Sequence, residues 1–183
     1  MDGYTVVLFL HICALLGAIG TAGILHFAEL RLRASDSVAA IRVWAGLVEK
    51  GGRVFPLALL VLLGTGAYLV DHGWTWSAGW IVAALVGVGI LFVVGAGVLG
   101  SRSRALAREL RDAHDGVVSA RLAHLARDHV GGVASWSNTG LAVGIVFVMT
   151  TKPGLAGAFA SLVTAAALGI ALGLVLRRVS DHG

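Results

Sequence analysis

From Tyr4 to Phe27 the chain carries no charged side chain. About 20 apolar residues at a rise of about 1.5 Å each cross a bilayer as a helix, and in hydrocarbon a lone helix pairs its own backbone groups. The run predicts a transmembrane span over 4–27. Four further apolar runs predict spans over 54–70, 77–99, 132–151 and 155–176. Composition agrees: 57% of residues are hydrophobic, 13% are charged, and the mean hydropathy is +0.88. These values exclude an ordinary soluble domain. The expected fold class is all-α, a polytopic helix bundle in one domain over 1–183, with five spans and four as the alternative.

The segments between spans are short. Ser35 or Asp36 can cap a helix over 36–49, in which Val38, Ile41, Trp44, Ala45 and Val48 recur at helical spacing. With Arg42 and Lys50 toward its polar side, this stripe predicts a separate amphipathic helix lying in the membrane interface. Pro56 is expected in the first turn of the second span, where its missing donor does little harm. The stretch 101–130 is basic, and Leu106, Leu110, Val118, Leu122 and Leu125 alternate with arginines. It predicts two short helices broken near Asp115 and Gly116, the first continuing the third span. Lys152-Pro153-Gly154 predicts a sharp turn before the fifth span.

Basic residues set the orientation. Thirteen of the 14 lysines and arginines lie between spans one and two, between spans three and four, or after span five; Lys152 alone lies on the other side. The amino terminus is therefore expected outside and the carboxyl terminus in the cytoplasm, in a cytoplasmic membrane that is the bacterial inner membrane. The net charge of +4 reads as topology, so no nucleic-acid partner is expected. Met1-Asp2-Gly3 has no basic stretch and no small-residue cleavage site follows the first run, so that span is expected to be retained. Tyr4, Trp74, Trp76 and Trp80 form an expected outer aromatic belt, with Trp44 and Trp136 at the inner interface. Gly17, Gly20 and Gly23 would admit a neighbouring backbone or a flat ligand, and the pairs Gly140/Gly144 and Gly169/Gly173 predict tight helix packing.

No soluble-enzyme motif is present, and the single cysteine, Cys13, excludes a disulfide framework. The chemistry must come from polar groups within the spans. An imidazole in hydrocarbon is costly without a partner, so His11 and His26 mark candidate sites. His11, His72 and Lys152 lie near one side; His26, Arg53, His129, Ser135, Asn138, Glu29 and Lys50 lie near the other. Haem iron takes axial imidazole, and its propionates suit Arg or Lys at the interface, which permits haem b in the bundle. His11 is the leading iron ligand. A dihaem variant pairs His11 with His72 and His26 with His129. Against these stand plainer roles: His11 hydrogen-bonded to Ser, Thr or backbone, His26 and His72 solvated, Asn138 bridging helices, and Arg53 reaching lipid phosphate.

The sequence also resembles a bacterial integral-membrane family of unknown function. The resemblance rests on His11 in a glycine-rich first span, Glu49-Lys50-Gly51-Gly52-Arg53 leading to Pro56, Gly64-Thr65-Gly66, and Met149-Thr150-Thr151-Lys152-Pro153-Gly154. More distantly it is similar to the HemJ-type membrane protoporphyrinogen oxidases and to copper-resistance protein D. In the HemJ-type pattern a first-span histidine is implicated in haem binding; His11, Arg53 and Pro56 match it and Lys50 matches loosely. The tryptophan that pattern expects further along the first span is missing, and methionine or cysteine ligands for copper are scarce. The resemblance implies a haem-type site more than a copper site.

The leading functional expectation is a small membrane protein binding haem b for electron transfer or porphyrin oxidation, with His11 as axial ligand and Arg53 or Lys50 supporting anionic groups at the inner side. The second is a noncatalytic accessory or scaffold subunit of a larger membrane complex or homo-oligomer. The third is a transporter or channel for a small solute or ion. Each has the lipid bilayer as a partner.

Overall fold

The computed structural model describes residues 2–114 and 116–182, with side chains up to residue 178. Among the described residues there is no strand. The helices are α1 (Gly3–Arg33), α2 (Val38–Gly73), α3 (Gly79–Phe92), α4 (Gly100–Asp112), α5 (Ala120–Ala126), α6 (His129–Thr151) and α7 (Leu155–His182), and a π-helical stretch, Val93–Leu99, joins α3 to α4. Five helical segments are long and apolar enough to cross a membrane. The protein is thus a multi-pass helical membrane protein, as the apolar runs require.

The helices associate as a pair and a trio. α1 packs along α2; α6 packs along α7, and α3 lies against both. Small residues permit the closest contacts. A methyl group on Gly140 would strike the carbonyl of Ala165, and one on Gly169 would strike that of Trp136. The two small-residue motifs therefore face each other, as their spacing predicts. Gly17, Gly20 and Gly23 behave differently: among the described residues, no atom beyond their own helix turn lies within 4 Å of where their side chains would begin. No neighbouring helix uses that face of α1.

The region before the second span departs from expectation. There is no separate interfacial helix: α2 runs unbroken for 36 residues, about 54 Å, which exceeds a hydrocarbon core of about 30 Å. Ser37 caps it, its hydroxyl accepting from the Ala40 amide at 3.2 Å. The predicted stripe does not meet lipid either. Val38, Ile41 and Ala45 are buried with Leu32, Leu106, Leu110, Leu122 and Ala126 in one core, with Trp44, Val118 and Leu125 at its rim. The apolar faces of α4 and α5 supply the partner surface that made an interfacial placement look necessary. Pro56 accordingly lies inside α2 rather than at a helix start. The carbonyl that its ring crowds belongs to Gly52, whose backbone has latitude to tilt.

The charged segment follows its prediction. α3, the π-helical stretch and α4 form one rod, Gly79–Asp112, and the chain breaks between α4 and α5 around Gly116, whose φ is 152°; Asp115 lies outside the described residues. Asp128 caps α6 by accepting from the amides of Val130 and Gly131 at 3.1 and 3.2 Å. α6 ends at Lys152, in the left-handed region with φ 50°, and Pro153 cannot continue it. The molecule thus has an arginine-rich end, built by the start of α2 with α4 and α5, and an opposite end carrying Trp74, Trp76 and Trp80.

Candidate functional site

Two polar sites lie within the apolar layer, one on each half of α1. The first is centred on His11, whose Nδ1 lies 2.8 Å from Thr65 Oγ1 on α2. The Thr65 hydroxyl donates to the carbonyl of Val61, four residues back, at 2.6 Å. With that proton on Val61, the oxygen accepts toward His11 and Nδ1 carries the imidazole proton. Nε2 then keeps its lone pair. Gly66 lies beside the ring, and a methyl group there would sit in ordinary van der Waals contact, 3.5 Å from His11 Cε1.

The second site has more members. His26 Nε2 lies 2.8 Å from Thr139 Oγ1 on α6, and its ring stacks on Trp136 with centroids 4.0 Å apart and planes 13° from parallel. Glu29, three residues on along α1, places Oε2 3.7 Å from His26 Nδ1 and accepts from the Ser135 hydroxyl through Oε1 at 3.1 Å. Asn138 donates from Nδ2 to the Leu91 carbonyl at 3.5 Å, just before α3 widens into the π-helical stretch. Two buried atoms here have no protein partner, His26 Nδ1 and Asn138 Oδ1.

Ser135, Asn138 and Thr139 share a face of α6 because residues three and four apart are neighbours on a helix. Ser135 and Thr139 meet α1 at Glu29 and His26, and Asn138 meets α3 at Leu91. Trp136 is half-buried and stacked on His26; Gly169 and Gly173 of α7 let its helix sit close beside it. Trp44 lies at the arginine-rich end, packed edge-on against Phe27 at 5.8 Å under the Arg31 guanidinium.

The sequence-predicted residues thus divide. His26, Glu29 and Ser135 come together, while Asn138 turns to Leu91 on α3. His11 is joined by Thr65, which appeared in the sequence only as part of a glycine-flanked motif. His72 does not reach His11: it lies seven residues beyond Thr65 on α2, about 10 Å along the axis, and it stacks on Tyr68 at 4.0 Å. His129 is seven residues before Trp136 on α6, so neither histidine pair shares a depth along its helices. Arg53 pairs with Glu49 on its own helix, and Lys50 is exposed. Both lie about 18 Å or more from Thr65 along α2, so neither reaches a group held by His11. Trp136 is marked in the sequence only as an inner-interface aromatic and Thr139 not at all; the i, i+3, i+4 spacing of Ser135, Asn138 and Thr139 is the signal that finds the latter.

At the arginine-rich end a cavity of about 660 Å³ is lined by Arg102, His124, Arg127, Asp128, His129 and Arg177, among others. Arg102 pairs with Asp128, and Arg127 reaches Asp36 at 3.6 Å. Among the described residues no cluster of three or more His, Cys, Asp or Glu side chains could hold a metal ion. The donor set at His11 suits an axial haem ligand: one ring nitrogen is oriented by a hydrogen bond and the other keeps a lone pair. Compared with family models, curated proteins and solved structures, the chain matches none.

Proposed function

We propose that this chain is a haem b-binding protein of the bacterial inner membrane, with its amino terminus outside and its arginine-rich end in the cytoplasm. His11 is the axial ligand. The observation that carries the reading is the Thr65 relay: the hydroxyl proton goes to Val61, Nδ1–H goes to Thr65, and Nε2 is left as a ligand nitrogen at the depth of the apolar layer. The resemblance of His11, Arg53 and Pro56 to the HemJ-type pattern supports the same assignment. Bound haem would supply one-electron chemistry, for electron transfer or porphyrin oxidation. The chain's contribution is to orient the imidazole, raise its basicity through Thr65 and exclude water.

The visible spectrum of the purified protein in mild detergent, oxidised and then dithionite-reduced, tests this directly. The wild type is expected to show a Soret band with reduced α and β bands, and His11→Ala to lose or shift them. A colourless protein, expressed with haem precursors supplied, would end the haem assignment.

A second reading has its own observation. Arg104, Arg108 and Arg111 lie three and four residues apart along α4 and are exposed, a cationic face suited to an anionic lipid surface or an acidic partner subunit. This is the accessory-subunit role. Copurification of a defined partner, lost when the three arginines are changed to glutamine, would favour it.

A further inference from the structure

We propose that the cavity at the arginine-rich end binds the phosphate headgroup of one anionic phospholipid, whose acyl chains run along the outer face of α7. The site is separate from His11 and from the exposed arginines of α4, and it does not depend on haem. The cavity, of about 660 Å³, is enclosed by Arg102 from the third-span rod, by α5, by the start of α6 and by Arg177 near the end of α7. Its charged side chains are Arg102, Arg127, Arg177 and Asp128. Among the described residues of the wall, three guanidiniums thus meet one carboxylate.

Depth fits a lipid phosphate. Arg102 follows the third apolar run, 77–99, by three residues; His129 precedes the fourth, 132–151, by three; Arg177 is the residue after the fifth, 155–176. At a rise of about 1.5 Å per residue, each lies within about 5 Å of the hydrocarbon boundary along its helix, at the level of the headgroup layer. Guanidinium matches phosphate oxygens in charge and in its forked geometry. A basic pocket between transmembrane helices at this level suits an anionic headgroup.

The one carboxylate of the wall does not repel such a ligand from all sides. Asp128 caps α6 through the amides of Val130 and Gly131 and pairs with Arg102, so it occupies the helix start and anchors Arg102 at the cavity. That guanidinium has further donors beyond the one Asp128 engages. Arg127 reaches Asp36 at 3.6 Å, but Asp36 is 90% exposed and lies outside the wall; so solvated a pair is weak and yields to a phosphate. A soluble phosphate would share these contacts, and an apolar track favours the lipid. Val163, Ile170 and Leu174 are exposed, and with Arg177 they recur at seven, four and three residues, one stripe of α7 leading from hydrocarbon to the cavity. Val130, also exposed, lines the cavity itself.

Native mass spectrometry of the full-length protein, released from detergent, counts bound lipid. Titrated phosphatidylglycerol is expected to load one molecule first, with phosphatidylcholine at least about tenfold weaker at that site. Changing Arg127 and Arg177 together to glutamine is expected to weaken the first site about 25-fold, about fivefold for each arginine. Changing Arg104, Arg108 and Arg111 to glutamine is expected to leave it within about twofold, because those charges act only through screened solvent. Equal loading of phosphatidylcholine, or a first site unchanged in the Arg127→Gln, Arg177→Gln variant, would overturn the proposal. Millimolar inorganic phosphate is expected not to displace the lipid; full displacement would make the ligand a soluble phosphate and end the lipid assignment. Should the double variant fail to fold by size exclusion, Ala120→Glu decides. It sets a carboxylate at an exposed position of the wall without removing a charged contact, and a first site left intact by it is equally fatal.

Discussion

Thr65 shows how much one hydroxyl can decide. In a helix a threonine can return its proton to the carbonyl four residues back, and doing so turns its oxygen into an obligate acceptor toward its neighbour. Thr65→Val keeps the shape and removes that acceptor. It is expected to remove one hydrogen-bond partner of the half-buried His11 ring, at a cost of about 0.5–1.5 kcal/mol. Thermal denaturation in detergent would measure this, and a shifted Soret band would accompany it if His11 binds haem. Asp2 acts at the chain's start. Its side-chain hydrogen bond with Thr5, together with the Thr5 backbone amide, holds the Asp2 carboxyl below the usual carboxylate range, and Asp2 Oδ1 lies 2.8 Å from the Thr5 amide. A carboxyl depressed in the folded state contributes above its unfolded pKa and loses that contribution as pH falls through the folded value. Protection of the Thr5 amide from hydrogen exchange is therefore expected to be constant near neutrality and to vanish only in acid. Protection unchanged at the most acidic pH would refute the cap.

Among the elements, the α6–α7 pair is held by glycines whose hydrogens are the contact surface. Adding one carbon at Gly169 places it against the Trp136 carbonyl, and backbone cannot move aside as a flexible side chain does. Gly169→Ala is expected to cost about 1–3 kcal/mol by overpacking, whereas Gly17→Ala, where among the described residues no atom beyond its own helix turn lies within 4 Å, is expected to be neutral or slightly stabilising through helix propensity. Equal melting temperatures for the two variants would contradict this packing. Spacing alone marked all these glycines alike. Only the neighbours distinguish a glycine that admits a helix from one that faces outward, and neighbours are a tertiary property. The same holds for Trp136: its sequence position near a span end marks an interfacial aromatic, and only the meeting of α1 with α6 stacks it on His26.

For the whole molecule, the proposed orientation predicts which end a charged thiol reagent can reach. Thr75→Cys, in the exposed turn between α2 and α3, is expected to label in intact spheroplasts, and Val117→Cys, 96% exposed between α4 and α5, only after lysis. Cys13 is exposed on the apolar face of α1 and lies beyond the reach of an impermeant reagent. The reverse labelling pattern would invert the topology.

The sequence by itself determined the class of molecule. Apolar runs long enough to cross hydrocarbon leave the backbone no option but helix, and arginines flanking alternate ends mark one face of the membrane; both are one-dimensional properties, local in the chain. The sequence also identified His11, His26, Glu29, Ser135 and Asn138 as polar groups out of place in lipid. Tertiary structure alone decided which partner each one met. His11 and Thr65 are 54 positions apart, and His26 and Thr139 are 113 apart; such pairings depend on which helix faces meet. The stripe on the first turns of α2 makes the same point, since helical periodicity shows that a face must be covered but not by what. Here α4 and α5 cover it, because burying it against their leucines removes both surfaces from water at once.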